Sequence, residues 1–213
     1  MFPYPSSQAC WLYLLRHGAT EYNLRTPPVL QGRTVNLGLA PEGLRQAKCA
    51  AEFLAGAKLS AVYSSELLRA RETAKLIAAK HRLEISTRAE LIEVDVGRWE
   101  SRAWAEIMQT DPEAYRLFQH APGSHGYAGG ENLQQVQDRV LPVFFDLLAR
   151  HVGQAIAIVA HNVVNRAFMA AVLGLPLNEA RALMQENGCI NMLKYQAGEV
   201  TLHTLNATFH LYE

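Results

Sequence analysis

The chain lacks any excess of charge: 20 Lys and Arg balance 20 Asp and Glu over 213 residues. No global field therefore draws it to nucleic acid or to an anionic membrane, and any anion it binds must be gathered by a local cluster. Cysteine is scarce too. Cys10, Cys49 and Cys189 are odd in number, widely spaced and without a CxxC pair. That argues against a disulfide framework and a thiolate metal site, and leaves them as small core residues. Long apolar runs are missing, since the stretches at 11–15 and 155–160 fall far short of the roughly 18 residues that suggest a membrane span. Residues 1–8 put no basic residue ahead of their short apolar run, so they do not read as a signal peptide, and a soluble cytoplasmic protein is expected. There is no HxH, HxD or HExxH spacing and no glycine-rich P-loop. Neither a metal-bound catalytic centre nor a nucleotide kinase is therefore expected, and no cofactor is implied.

What is present is an alternation of short buried strands and amphipathic helices. Strand-like runs occur at 10–15, 61–64, 155–160, 190–195 and 200–205, the last two joined through Ala197-Gly198 as a hairpin at one edge. Between them, 41–57 opens with Pro41 and carries Leu44, Ala47, Ala51 and Leu54 on one face. A second helix is expected over 66–81, on Leu67, Ala70, Ala74 and Ile77. A third over 132–150 has Val136, Val140, Val143, Phe144 and Leu147 at helical spacing, with Pro142 implying a kink or a broken start. A fourth, 163–173, stops at Gly174 and Pro176. This order predicts one α/β domain over 1–213, a three-layer sandwich with a mostly parallel central sheet flanked by helices. Between 91 and 131 the pattern loosens around Trp99, Trp104, Tyr115, Phe118 and Tyr127. That stretch reads as a lid, partly helical over 104–118.

Ligands of open parallel sheets bind beyond the carboxyl ends of the strands. One strand here leads into Arg16-His17-Gly18, another into His161, and a third through Ser64-Ser65 into a helix carrying Arg69. Two imidazoles and two guanidiniums at three strand ends suit a phosphate. Arginine grips it through paired hydrogen bonds, and a neutral histidine can attack phosphorus to form phosphohistidine. That chemistry needs one unprotonated imidazole, with the other best cationic to stabilise the transferring group. The remaining histidines, His81, His120, His125, His151, His203 and His210, read as structural or solvated.

The ordered segments Leu15-Arg16-His17-Gly18-Ala19-Thr20-Glu21-Tyr22-Asn23, Gln31-Gly32, Tyr63-Ser64-Ser65-Glu66-Leu67-Leu68-Arg69-Ala70-Arg71-Glu72-Thr73-Ala74, Leu91-Ile92-Glu93, Gly97-Arg98-Trp99-Glu100, Gly129-Gly130-Glu131 and Val159-Ala160-His161 run across most of the chain. Together they resemble the histidine phosphatase superfamily, also called phosphoglycerate mutase-like. The resemblance implies that His17 is the phosphorylated nucleophile, oriented through backbone such as the Gly18 carbonyl. It implies Arg16, Arg69 and His161 as the phosphate clamp, Asn23 and the Asn162 backbone N–H as further donors, and Glu93 as general acid and then base. Gln31 and Gly32 join the substrate-binding set. Thr20 stands as either a capping residue or a ligand contact, and Glu131 as a cap of the helix that follows.

Three departures from the family pattern fall on the substrate-facing wall. The segment 33–39 lacks the frequent acidic residue and proline, Ser101 follows Glu100 where glycine is usual, and Asn162 follows His161 where glycine is commoner. The expected activity is a metal-independent phosphatase acting on a small phosphomonoester, because inserted segments of the mutase kind are absent. The alternatives are mutase-type phosphoryl transfer, a phosphoprotein phosphatase, or a non-catalytic interaction module of the same fold. The expected partner is a small phosphorylated metabolite, with neither nucleic acid nor membrane. Oligomeric state is left open, a homodimer included.

Overall fold

A computed structural model of the chain describes Phe2 and residues 7–212. The reading of the start of the chain as no leader falls mostly on residues outside those described. Six strands form one sheet in the order β3-β2-β4-β1-β5-β6, comprising β1 (Ala9–Arg16), β2 (Leu59–Ser64), β3 (Ile85–Thr87), β4 (Ala155–Ala160), β5 (Ile190–Gln196) and β6 (Glu199–Ala207). The β1/β4, β4/β2 and β2/β3 ladders are parallel, while β5 lies antiparallel to both β1 and β6. The sheet is thus mostly parallel. Its β5–β6 hairpin turns at Ala197 and Gly198, both at positive φ (53° and 88°), as a two-residue turn matched to strand twist requires.

Pleating divides the core. Cys10, Leu12, Leu14, Ile156 and Ile158 point to one face, where they meet α6 (Leu133–Arg150) and α7 (Asn162–Leu173). Trp11, Tyr13, Leu15, Ala157 and Val159 point to the other, against α2 (Pro41–Leu54) and α3 (Leu68–His81). Because β1 and β4 are covered on both faces they read as unbroken apolar runs rather than alternating ones. The result is the expected three-layer arrangement.

Several local expectations are corrected. Leu44 is exposed, and the inward positions of α2 are Gly43, Ala47, Ala50, Ala51 and Leu54. The reason is that Gly43 lies directly under the backbone of Ala19, where a Cβ would sit 1.9 Å from the carbonyl oxygen, so the next residue turns outward. Cys49 is half-exposed on that helix, whereas Cys10 and Cys189 are buried. Pro142 does not break α6, which runs continuously from Leu133 to Arg150, with the proline on its exposed side. Strand β3 is three polar-leaning residues, too short to show a period. Within 104–118 there are two helices, α4 (Trp104–Thr110) and α5 (Pro112–His120). They part at Asp111, whose backbone leaves the helical region ahead of the proline.

Candidate active site

Register brings the chemistry together. Arg16 pairs with Ala160, and Ser64 with Val159, so β1, β4 and β2 end level with one another. Each then runs into a polar residue: His17, His161 and Ser65. The two imidazole centroids lie 5.1 Å apart, and His161 Nε2 is 2.8 Å from Ser65 Oγ. Ser65 carried no assigned role in the sequence, although its place after a strand end was visible.

His17 is tightly specified. Its Nδ1 lies 2.7 Å from the Gly18 carbonyl oxygen, and since a carbonyl can only accept, Nδ1 carries the hydrogen and Nε2 keeps its lone pair. Burial, then the charges of Arg69 and Arg16, hold its pKa well below the usual 6.5 against the opposing effect of that hydrogen bond. The loop itself is packed closely. A Cβ on Gly18 would come within 2.3 Å of the Gly43 carbonyl oxygen, the Gly18 N–H donates to Thr73 Oγ1, and the Ala19 N–H donates to Gln46 Oε1.

His161 does not follow the expectation of a cationic partner. It is fully buried, and burial together with Arg69, His17 and Arg16 also drives its pKa well below the usual value. Two imidazoles beside two guanidiniums cannot readily add a third charge. Burial and the neighbouring guanidiniums thus favour the neutral form of both rings.

Arg16 donates through Nη1 to the Gln185 carbonyl. Arg69, 1% exposed, donates to the carbonyls of Gly32 and Val35, and burial lowers its pKa to about 10. The Nε of each arginine is buried without a partner, as is Gln31 Nε2. Gln31 Oε1 is engaged by the Thr20 hydroxyl at 2.7 Å, and Asn23 Oδ1 by the Thr20 N–H at 3.0 Å. Their acceptors are thus engaged, which leaves donors. Thr20 is buried at the N-cap position of the short α1 (Glu21–Leu24) and sets both amides.

Glu93 is buried, with Oε1 accepting the Val94 N–H at 2.9 Å and Oε2 the Val163 N–H at 3.4 Å. Burial raises its pKa, outweighing those donors and the two arginines. Its backbone is braced by Arg139, which donates to the Glu90 and Glu93 carbonyls while pairing with Glu131 at 2.8 Å. Glu131 also accepts the Asp95 N–H. The expectation that Glu131 caps α6 is therefore corrected. The cap is Asn132, whose side chain accepts the Gln135 N–H.

A cavity of about 450 Å³ opens onto this corner, lined among others by Arg16, His17, Asn23, Gln31, Glu93 and Asn162. Arg69 and His161 are not in that lining but lie buried at the same corner, Arg69 acting electrostatically on both imidazoles and the His161 ring 5.1 Å from that of His17. Gly32 is turned away: its N–H donates to Glu100 and its carbonyl accepts from Arg69, so it positions the loop rather than facing a ligand. Glu100 also receives the Thr34 N–H and hydroxyl, which ties the loop after Gln31 to the Gly97–Glu100 segment. Asn162 opens α7, presenting first-turn backbone donors. From the 91–131 segment, Trp104, Phe118 and Tyr127 form an aromatic wall, with Phe118 4.5 Å from Tyr127 and stacked on Trp104 at 5.7 Å. Among the described residues, no group of three His, Cys, Asp or Glu could hold a metal ion, and no helix is long and apolar enough to cross a membrane.

The model of the histidine phosphatase superfamily, branch 1, matches residues 12–208. The chain belongs to this superfamily. It is 33% identical over 205 residues to phosphoserine phosphatase 1 of Hydrogenobacter thermophilus, covering 95% of this chain and 94% of that relative. It is 32% identical to a probable phosphoglycerate mutase of Proteus mirabilis, over 87% of this chain and 85% of the other. Among solved structures, YhfR of Bacillus stearothermophilus superposes with a TM-score of 0.87 at 29% identity, over 95% of this chain and 99% of that one. As a histidine phosphatase, the chain departs from the sequence reading also in the lining of its cavity. There Arg166 and Arg181 join the lining, and neither lies in a motif that marked it.

Proposed function

We propose that this chain hydrolyses small phosphomonoesters through a phosphohistidine at His17. The observation that carries the reading is the His17 tautomer: a hydrogen on Nδ1, a lone pair on Nε2, and a ring held neutral beside two guanidiniums. In the reaction, Nε2 attacks phosphorus as the bond from phosphorus to the ester oxygen breaks. Glu93, whose raised pKa favours the protonated carboxyl, gives its proton to the departing oxygen. The Glu93 carboxylate then takes a proton from water, whose oxygen attacks phosphorus, and the P–N bond electrons return to Nε2. Arg16 and Arg69 supply charge to the phosphoryl oxygens, and the unpartnered donors Arg16 Nε, Arg69 Nε and Gln31 Nε2 suit an anion that accepts hydrogen bonds. Neutral His161 serves as a donor there.

The reading takes the chain as one domain, with 91–131 as the lid whose aromatic wall shapes the substrate space. It takes the three free thiols as those of a cytoplasmic protein. The likeness to a probable mutase favours a second reading, in which phosphorylated His17 returns its phosphate to the substrate. Rapid quenching after mixing with radiolabelled phosphomonoester tests both. Acid-labile, alkali-stable label on the wild type and none on His17→Ala, with inorganic phosphate released, supports the hydrolase. Isomerisation of 3-phosphoglycerate outrunning phosphate release would replace it with the mutase. No label and no turnover would leave an interaction module.

A further inference from the structure

Ser65 sits where β2 gives way to α3, and the chain around it leaves its hydroxyl little freedom. It is fully buried. Its N–H donates to the Val159 carbonyl at 3.1 Å, its own carbonyl accepts the Ser64 hydroxyl at 2.8 Å, and its Oγ accepts the Leu67 N–H at 3.3 Å. The same Oγ lies 2.8 Å from His161 Nε2. A hydroxyl has one hydrogen and two lone pairs. With one lone pair given to Leu67, the Ser65 hydrogen has no acceptor among the described residues except His161 Nε2.

That contact can be made in two ways. If Nε2 carries hydrogen, it donates to Oγ and the serine hydrogen is stranded where water does not reach. If Nε2 is bare, the serine hydrogen is used and the hydrogen of the ring sits on Nδ1. His161 Nδ1 has no partner in either case. The first assignment therefore leaves two buried groups unsatisfied and the second only one, and each such group costs free energy. An imidazolium, with hydrogen on both nitrogens, strands the hydroxyl in the same way as the first.

In the favoured assignment the group left over is a donor at the reaction corner. The His161 ring is 5.1 Å from that of His17 and tilted 60° to it. The other unpartnered donors there are Arg16 Nε, Arg69 Nε and Gln31 Nε2. A phosphoryl oxygen accepts hydrogen bonds, so a hydrogen on Nδ1 is usable and a lone pair is not.

We propose that Ser65 is a positioning residue: by donating to Nε2 it fixes His161 as the Nδ1–H tautomer, and Nδ1–H donates to an oxygen of the phosphoryl group as it moves to His17. The inference rests on the phosphohistidine reading above and adds the residue that sets the donor. Ser65 touches neither substrate nor reacting atoms. It acts through His161.

The test has a spectroscopic and a kinetic arm. The ring nitrogens of His161, assigned through its backbone in isotope-labelled wild type, should show a protonated Nδ1 and a bare Nε2 in long-range proton–nitrogen correlation spectra. Ser65→Ala should lose that pattern. With nitrophenyl phosphate, Ser65→Ala should lower kcat about tenfold, the size expected of one charge-assisted hydrogen bond, with KM held within about twofold. Ser65→Thr, which keeps the hydroxyl, should retain most of the turnover. The structural alternative is loss of the Leu67 contact, just ahead of the helix carrying Arg69, and it would act with or without the imidazole. The tenfold effect should therefore vanish when Ser65→Ala is made in His161→Ala. Hydrogen on Nε2 in the wild type, full kcat in Ser65→Ala, or an equal loss in the His161→Ala background overturns the proposal. The wild-type spectrum needs no variant to fold. If His17 is labelled and phosphate released while Nε2 is protonated, the positioning role alone falls; if nothing is hydrolysed, the phosphomonoesterase reading falls and takes this role with it.

Discussion

Two neutral, buried histidines make the stability of this protein depend on pH with a sign that can be worked out. His17 is 3% exposed and His161 fully buried, and both pKa values are depressed, first by burial and then by charge. The groups facing them are Arg16 from β1, Arg69 from α3, Arg139 from α6 and each other. Unfolding restores the ordinary value of 6.5. A group depressed in the folded state contributes stability above its unfolded pKa and loses it as pH falls toward the folded one. The loss is about 1.4 kcal/mol per pH unit for each ring. Because that loss begins only below about pH 6.5, the pair removes on the order of 3 kcal/mol between about pH 7.5 and about pH 5.5 while both rings stay neutral in the folded protein.

Glu93 works against this. Its folded pKa is raised, so its contribution is present at low pH and lost as pH rises through that value. Glu93→Gln removes this opposing effect. Urea unfolding of Glu93→Gln and of Glu93→Gln/His161→Gln, each at both pH values, isolates one ring. The double variant should lose on the order of 1 kcal/mol less on acidification than its parent. Equal losses in the two proteins would refute a neutral His161, and with it the account of charge in the site.

Further expectations concern turnover and packing. His17→Ala should abolish phosphate release while near-UV circular dichroism stays that of the wild type; retained turnover would remove His17 as the nucleophile. Glu93→Gln should slow hydrolysis of alkyl phosphates by about a hundredfold or more and nitrophenyl phosphate far less, since a nitrophenolate needs little protonation. Equal losses on both substrates would point to another acid. Gly43→Ala puts a methyl 1.9 Å from the Ala19 carbonyl oxygen, which should cost about 2–3 kcal/mol of stability and disturb the His17 loop. Thermal unfolding and nitrophenyl phosphate kinetics check the two effects together.

Strands β1 and β4 were legible because burial on both faces leaves only apolar residues between Cys10 and Leu15 and between Ala155 and Ala160. The helix over α3 was legible from its alanine and isoleucine stripe, although Leu67 packs just ahead of it rather than within it. Strand β3 was not, since three residues hold no period. The split at Asp111 turns on one backbone conformation before Pro112. In α2 the hydrophobic stripe pointed to Leu44, but a contact made 24 residues away in sequence, at Ala19, decided which side faced in.

The amino-acid sequence by itself determined the order of strands and helices and the residue types that end each central strand. These are local properties, written in periodicity and in short motifs. It also carried the family, through segments matched in order. Tertiary structure decided the rest. The level ends of β1, β4 and β2 make neighbours of His17, His161 and Ser65, and a shared burial makes both imidazoles neutral where one cation was expected. It turned Gly32 into the loop and brought Arg166 and Arg181 into the cavity. Proximity, burial and electrostatic field are properties of three-dimensional packing, and no single segment of the chain contains them.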